Sequence, residues 1–192
     1  MESLIDFDKD LFFFLNGLHT NWLDQVMFWL SEKKVWIPFY VAIAAWIIKT
    51  YKWKGLIYIA AIGAAIGLTD YVISGIMKGY FERFRPSRDP EMEGLVHIVN
   101  DYRGGRFGFA SSHSGNSFAL ATFIFMLFRE YRWIGLMFVW AAVVAYTRVY
   151  LGVHYPGDII VGGIIGALFG YLFYKIAQMI MSKIESRDSS TS

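Results

Sequence analysis

GLIYIAAIGAAIGLTDYVISGIM, residues 55–77, contains a single charged residue, Asp70, and indicates a helix that spans a membrane. A membrane-spanning helix needs about 20 apolar residues, and this stretch supplies them. Hydrophobic residues make up 56% of the 192 residues and charged residues 18%, against roughly 45–50% and about 25% in soluble chains. Further apolar runs occupy residues 35–48, 114–128, 133–153 and 159–181. The sequence therefore predicts an all-α, polytopic membrane bundle of five to six transmembrane helices.

The number of transmembrane helices, five or six, depends on the N-terminal region. Residues 5–17 alternate acidic and aromatic side chains, which is typical of an amphipathic helix in the membrane interface, so residues 1–20 are expected to lie there. Residues 21–31 are apolar but too short to span a bilayer unaided, and a tilted sixth helix stays open. We expect one membrane-embedded domain over residues 1–181, followed by a disordered cytoplasmic tail at 182–192.

Charge and cysteine content narrow the function and orient the chain. The net charge of +2 argues against a nucleic-acid partner, and the absence of cysteine excludes disulfides, thiol catalysis and cysteine-based metal sites. The short segments 49–54 and 129–132 and the C-terminal tail are basic, so the positive-inside rule places them in the cytoplasm. Residues 82–112 and 153–158 then face outward. We expect a multi-pass membrane protein with these segments on the outside or in the periplasm.

Polar residues that are costly to place at a membrane boundary gather at the predicted outer ends of the helices. They are Lys78, Arg85, Ser111, Ser112, His113, Arg148, His154 and Asp158. Such residues are functional candidates by default. Lysine and arginine suit phosphate oxygens, and a helix beginning near Ser111 offers free backbone N–H groups to an anion. The set therefore predicts a site for a tetrahedral oxyanion.

Two histidines add reactive groups to this anion site. His154 and Asp158 are four residues apart and become neighbours in a helical turn, so the carboxylate can hold one ring nitrogen and leave the other free to attack. His113 can protonate a leaving oxygen. Fixed cations can stabilise the transition state, so we expect neither a metal ion nor a cofactor.

Asp70 is a further charged candidate inside an apolar run. Asp70, Ser74 and Lys78 recur every four residues and share one helical face. Asp70 is expected to support Lys78 or pair with another cation, or else to serve as a packing residue hydrogen-bonded by Thr69 or Ser74.

Three spaced motifs resemble those of the type-2 phosphatidic acid phosphatase superfamily, membrane lipid phosphatases related to vanadium haloperoxidases. Residues 78–86 match the first motif, Lys-x6-Arg-Pro, in full. The second, Pro-Ser-Gly-His, reads Ala-Ser-Ser-His at 110–113. The third, Ser-Arg-x5-His-x3-Asp, spans 147–158 and begins with threonine. These departures remove no phosphate ligand, and Thr147 keeps the hydroxyl group.

The resemblance implies a phosphatase/haloperoxidase-like helical core and a role for each matching residue. His154 corresponds to a nucleophile that forms a phosphohistidine, Asp158 to its orienting partner and His113 to the general acid. The phosphate ligands implied are Lys78, Arg85, Ser111 and Arg148, with the backbone N–H groups of Ser112 and His113.

The implied substrate is a lipid phosphate or diphosphate whose tail stays in the membrane lipid. Undecaprenyl diphosphate is the first expectation, with phosphatidylglycerol phosphate, phosphatidic acid and lipid A phosphate as alternatives. A haloperoxidase is disfavoured by the apolar runs, since those relatives are soluble. A non-enzymatic anion-binding or transport protein is also disfavoured, because it would have no role for the two histidines. The oligomeric state stays open.

Overall fold

The structure is a computed structural model that describes residues 2–190. Within that range the chain forms eight α-helices, joined in places by short 3₁₀ turns. They are α1 (Glu2–Asn16), α2 (Asn21–Ser31), α3 (Ile37–Tyr51), α4 (Gly55–Asp70), α5 (Lys78–Phe81), α6 (Ser112–Leu127), α7 (Leu136–Tyr150) and α8 (Pro156–Ser190). A π-helical segment, Tyr71–Met77, joins α4 to α5 without a break. The prediction of an all-α chain is confirmed.

Three helical segments are long and apolar enough to cross a membrane: Lys33–Phe81, Arg132–Tyr150 and Pro156–Arg187. The first of these contains a reversal, because α3 and α4 fold back on each other. The rings of Tyr51 and Tyr58 lie 4.7 Å apart across the turn, and a Cβ atom on Gly55 would lie 3.0 Å from the carbonyl oxygen of Ile47. α3 and α4 are therefore an antiparallel pair rather than one long helix.

α6 is the buried centre of the bundle and packs directly against α8. Its inner side includes Ala119, Phe123 and Ile124, all fully buried. A stripe of small residues on α8 brings the two backbones into contact. Gly162, Gly166 and Gly170 face the carbonyl oxygens of Ser111, Gly115 and Ala119 respectively, and a methyl group on any of the three glycines would collide with that oxygen. Close backbone approach of this kind is typical of small-xxx-small helix packing.

Helices α1 and α2 cover one end of the bundle. On α2, Asp24 accepts a hydrogen bond from the Tyr150 hydroxyl and Ser31 accepts one from Arg148, so both parts of α2 contact the C-terminal end of α7. An eleven-residue helix is only roughly 16 Å long. Because its start and its end both contact the end of α7, α2 lies over the end of the bundle and does not run through it.

The C-terminal helix continues beyond the apolar segment. The sequence predicted a disordered tail from residue 182, whereas α8 extends to Ser190 in the structure. Residues 182–190 contain neither proline nor glycine, so no residue in this stretch terminates the helix. Residues 191–192 lie outside the described part of the chain.

Candidate active site

The three sequence motifs meet at the end of the bundle that α1 and α2 cover. Asp158, in the first turn of α8, accepts a hydrogen bond at its carbonyl from the Ser111 N–H, 3.0 Å away. The His154 N–H donates to the Arg148 carbonyl at 3.1 Å, and Arg85 Nη1 donates to the Val153 carbonyl at 3.4 Å. Residues far apart in the sequence are thus joined by direct contacts.

His154 and Asp158 form a buried pair. Their exposed fractions are 1% and 0%, and His154 Nδ1 lies 3.2 Å from Asp158 Oδ2. The carboxylate also accepts the Tyr155 N–H at 3.0 Å. Because Nδ1 faces a carboxylate, the proton is assigned to Nδ1 and the lone pair to Nε2. Burial, together with the positive charges of Arg85 and Arg148, lowers the pKa of His154 well below its usual value and keeps the ring neutral.

Arg83 and Asp8 extend this pair into a network that the sequence analysis missed. Arg83 Nη1 donates to Asp158 Oδ1 at 3.0 Å, and Nη2 donates to Asp8 Oδ2 at 2.7 Å. The other oxygen of Asp8 accepts the Gly157 N–H at 2.7 Å. Asp8 of helix α1 therefore positions Arg83, and Arg83 in turn positions the Asp158 carboxylate beside His154. The only sequence signal was the position of Arg83 inside the first motif, and no periodic pattern links it to Asp8.

Lys78 is held by hydroxyl groups from two helices. Its Nζ donates to Ser112 Oγ at 3.1 Å and to Ser74 Oγ at 3.4 Å, and the two hydroxyls lie 2.9 Å apart. Ser112 replaces the glycine of the resembled motif, so the departure supplies a side-chain partner for Lys78. Asp70 accepts a hydrogen bond from Ser74 at 3.4 Å and thus contacts Lys78 through one intermediate residue. This placement agrees with a supporting position for Asp70.

Arg85 and Arg148 bring two further positive charges into the buried site. Arg85 Nε donates to the Phe107 carbonyl at 3.1 Å. Burial and the nearby Arg148 lower the pKa of Arg85 to about 10, so its guanidinium stays charged at neutral pH. Arg148 is 2% exposed and donates to Ser31 Oγ and, at 3.0 Å, to Tyr102 Oη. Its Nε is buried without a hydrogen-bond partner.

The N-terminus of α6 supplies the remaining predicted ligands. Ser111 is fully buried and caps the helix, since its Oγ accepts the Ser114 N–H at 3.4 Å. Ser112 and His113 follow in the first turn, where backbone N–H groups lack partners within the helix. His113 interacts electrostatically with Arg148 and His154. The structure therefore brings every predicted site residue to one end of the bundle.

An apolar cavity of about 330 Å³ opens beside His113. It lies between α3, α4, α6 and α7, and its apolar lining includes Ile43, Ile47, Ile59, Ile62, Ile66 and Leu120. Two polar atoms without hydrogen-bond partners, Asn116 Oδ1 and Trp140 Nε1, belong to residues of the same lining. A hydrocarbon chain fits such a lining, while a charged headgroup fits the neighbouring arginines and lysine.

Comparison with known proteins supports the interpretation of these motifs. A Lipid A 4'-phosphatase of Bacteroides thetaiotaomicron is 42% identical over 190 residues, 97% of this chain and 84% of that protein. A Lipid A 4'-phosphatase of Porphyromonas gingivalis is 34% identical over 181 residues, 92% of this chain and 75% of that protein. Undecaprenyl-diphosphatase BcrC of Bacillus subtilis is 25% identical over 174 residues, 89% of this chain and 84% of that protein.

The fold has a solved counterpart as well. The crystal structure of a transmembrane PAP2-type phosphatidylglycerolphosphate phosphatase from Bacillus subtilis superposes with a TM-score of 0.68 and 25% identity. The match covers 94% of this chain and 89% of the other. The family description "PAP2 superfamily" matches residues 54–182, which include all three motifs. The chain therefore belongs to the PAP2 superfamily and is a multi-pass membrane lipid phosphatase.

Proposed function

We propose that this phosphatase removes a phosphate group from lipid A, at the 4' position. The observation that carries the proposal is the 42% identity to a lipid A 4'-phosphatase along 97% of the chain. Undecaprenyl diphosphate, the first expectation from the sequence, is supported only by relatives near 25% identity. Lipid A phosphate, which stood among the alternatives, therefore becomes the leading substrate.

The apolar cavity beside His113 fits the hydrocarbon chain of either lipid. It therefore supports a lipid substrate without distinguishing lipid A from undecaprenyl diphosphate, and the choice between them rests on the sequence identity.

The proposed reaction uses the buried pair at the end of α8. His154 Nε2 attacks phosphorus, so an N–P bond forms as the P–O bond to the sugar breaks. His113 gives a proton to the departing oxygen, and water then cleaves the phosphohistidine with His113 as base. Lys78, Arg85 and Arg148 offset the charge of the phosphate oxygens, assisted by the start of α6 at Ser111, Ser112 and His113. No metal ion or cofactor takes part in these steps.

We further propose five membrane crossings: α3, α4 with α5, α6, α7 and α8. Helices α1 and α2 then lie in the outer interface. The basic connections at 49–54 and 129–132 lie at the end opposite the site, so the positive-inside rule directs the site to the periplasm of a bacterial inner membrane. A lipid headgroup at the outer leaflet would reach the site while its acyl chains stay in the bilayer.

The substrate proposal is tested by comparing lipids in one assay. Purified protein in detergent, in buffer with EDTA, is expected to release phosphate from lipid A bisphosphate with kcat/KM at least about tenfold above that for undecaprenyl diphosphate, phosphatidylglycerol phosphate and phosphatidic acid. Mass spectrometry of the product should show loss from the 4' position. Faster turnover of undecaprenyl diphosphate would contradict the substrate proposal. Loss of all turnover in EDTA would contradict the metal-free reaction.

The orientation is tested by cysteine labelling, for which the native chain, without cysteine, gives no background. Glu93→Cys is expected to react with a membrane-impermeant maleimide in spheroplasts. Thr50→Cys, beside the basic connection, is expected to react only after the membrane is permeabilised. Both positions are exposed, so access to the reagent depends on the side of the membrane. The reverse labelling pattern would place the site in the cytoplasm.

A further inference from the structure

A cluster of metal-ligating side chains lies outside the candidate active site. His19 belongs to the turn between α1 and α2, Asp24 to the first turn of α2, and His97 to the segment between α5 and α6. One potential ligand atom from each lies within 4.8 Å of the others. Three chain segments thus converge on a small volume that takes no part in the proposed hydrolysis.

The two imidazole rings are arranged face to face. The rings of His19 and His97 are stacked with their centroids 3.7 Å apart and their planes 3° from parallel. Each imidazole ring has a nitrogen whose lone pair can bind a metal ion. Coordination of one ion by both rings requires the exposed His19 ring to turn out of the stack, so that the two lone pairs converge on the same position.

The surroundings hold His97 and Asp24 in place. Asn16, at the end of α1, accepts the His97 N–H at 2.9 Å and donates to the His97 carbonyl at 3.1 Å. The Tyr150 hydroxyl donates to Asp24 Oδ1 at 2.7 Å, and His97 Nε2 lies 3.0 Å from the same oxygen. Hydrogen bonds of this kind orient metal ligands and strengthen binding. Asp24 Oδ2 has no part in these two contacts and can turn to an ion.

We propose that His19, Asp24 and His97 bind one zinc ion, with water as the fourth ligand. Two imidazoles and a carboxylate form a ligand set that suits Zn²⁺, whereas Mg²⁺ and Ca²⁺ prefer oxygen ligands throughout. On binding, His97 Nε2 exchanges its contact with Asp24 for a bond to the metal. The ion supplies no chemistry to phosphate hydrolysis, so this proposal does not rest on the proposed function.

The position of the cluster indicates a structural role for the ion. Helix α2 carries Asp24 near its start and, at its end, Ser31, which contacts Arg148. Tyr150, which holds Asp24, lies two residues after Arg148 on α7. A zinc ion would therefore tie the N-terminal helices to the part of the chain that carries the phosphate-binding arginine. Binding to the folded state alone raises the unfolding temperature.

The experiment is a zinc titration of full-length protein in detergent, stripped with EDTA and then dialysed. A chromophoric zinc chelator serves as the competitor. We expect one ion per chain and a rise in unfolding temperature on adding Zn²⁺. His19→Ala and Asp24→Asn are each expected to weaken binding at least about tenfold and to remove the thermal shift. His19 is exposed and lies in a turn, so its substitution should leave the fold intact.

His113→Gln is the matched control, since its imidazole lies in the candidate active site. This variant is expected to bind zinc as the wild type does. The proposal is overturned if wild-type protein binds no zinc, or if His19→Ala and Asp24→Asn bind it unchanged. It is also overturned if binding disappears in His113→Gln, because the ion would then occupy the active site.

Discussion

Replacing His154 with alanine is expected to abolish phosphate release from the lipid substrate, with kcat lowered by at least about 10⁴-fold, because the proposed attacking nitrogen is lost. The buried ring is held by Asp158 at 3.2 Å, and its pKa is depressed, so it is neutral and nucleophilic at physiological pH. No second histidine occupies an equivalent position in the described part of the chain. The measurement is phosphate release under saturating substrate.

Detection of a phosphohistidine intermediate links the loss of activity in His154→Ala to the loss of the nucleophile. Wild-type protein quenched during turnover of labelled substrate should carry an acid-labile, alkali-stable phosphoryl group, as expected for phosphohistidine. His154→Ala should carry none, while its elution volume and unfolding temperature stay near those of the wild type. Turnover within about tenfold of wild type, or an unchanged phosphoryl label, would show that another group is the nucleophile.

Asp158→Asn is expected to lower kcat by about 10³- to 10⁴-fold with little change in KM. An amide presents an N–H as well as a carbonyl, so it no longer favours the tautomer that leaves the lone pair on Nε2. Asp158 does not belong to the cationic set that binds phosphate, so substrate affinity should be retained. Steady-state kinetics separate the two parameters.

Arg83→Gln provides the graded comparison for Asp158. Arg83 acts on His154 only through Asp158 Oδ1, 3.0 Å away, so we expect a smaller fall in kcat, on the order of tenfold, again with KM nearly constant. Asp8→Asn should resemble it, because Asp8 holds Arg83 at 2.7 Å. A rise in KM as large as the fall in kcat would mean that Arg83 binds the phosphate directly.

Apart from Asp70, the residues predicted from the sequence share one property: each lies in a motif of fixed spacing at a helix end. Lys78 and Arg85 follow one apolar run, Arg148 lies near the end of another, and His154 follows that second run. Antiparallel helices return such positions to the same end of a bundle, so their proximity could be predicted. The anion-binding character then followed from residue type alone.

The residues missed by the sequence analysis make contacts between segments without any shared pattern. Asp8 meets Arg83 across 75 positions, and Ser31 meets Arg148 across 117. Neither contact has a periodicity or motif that marks it in one sequence. The placement of α2 was unpredictable for a related reason. The length of α2 excluded an unaided membrane crossing. Its position over the end of the bundle is defined by its contacts with α7, which no sequence pattern marks.

The glycine stripe of α8 makes its contact with α6 rigid. Where Gly162 and Gly166 touch α6, no side chain separates the two backbones, so there is nothing that can bend or change rotamer between them. His113 lies in the first turn of one of these helices and Asp158 in the first turn of the other, so the backbone contact fixes the distance between the two residues. On α3 and α4 the apolar cavity is lined by side chains that have alternative rotamers, including Ile43, Ile47 and Ile62, so differently shaped lipid chains would be accommodated at that wall.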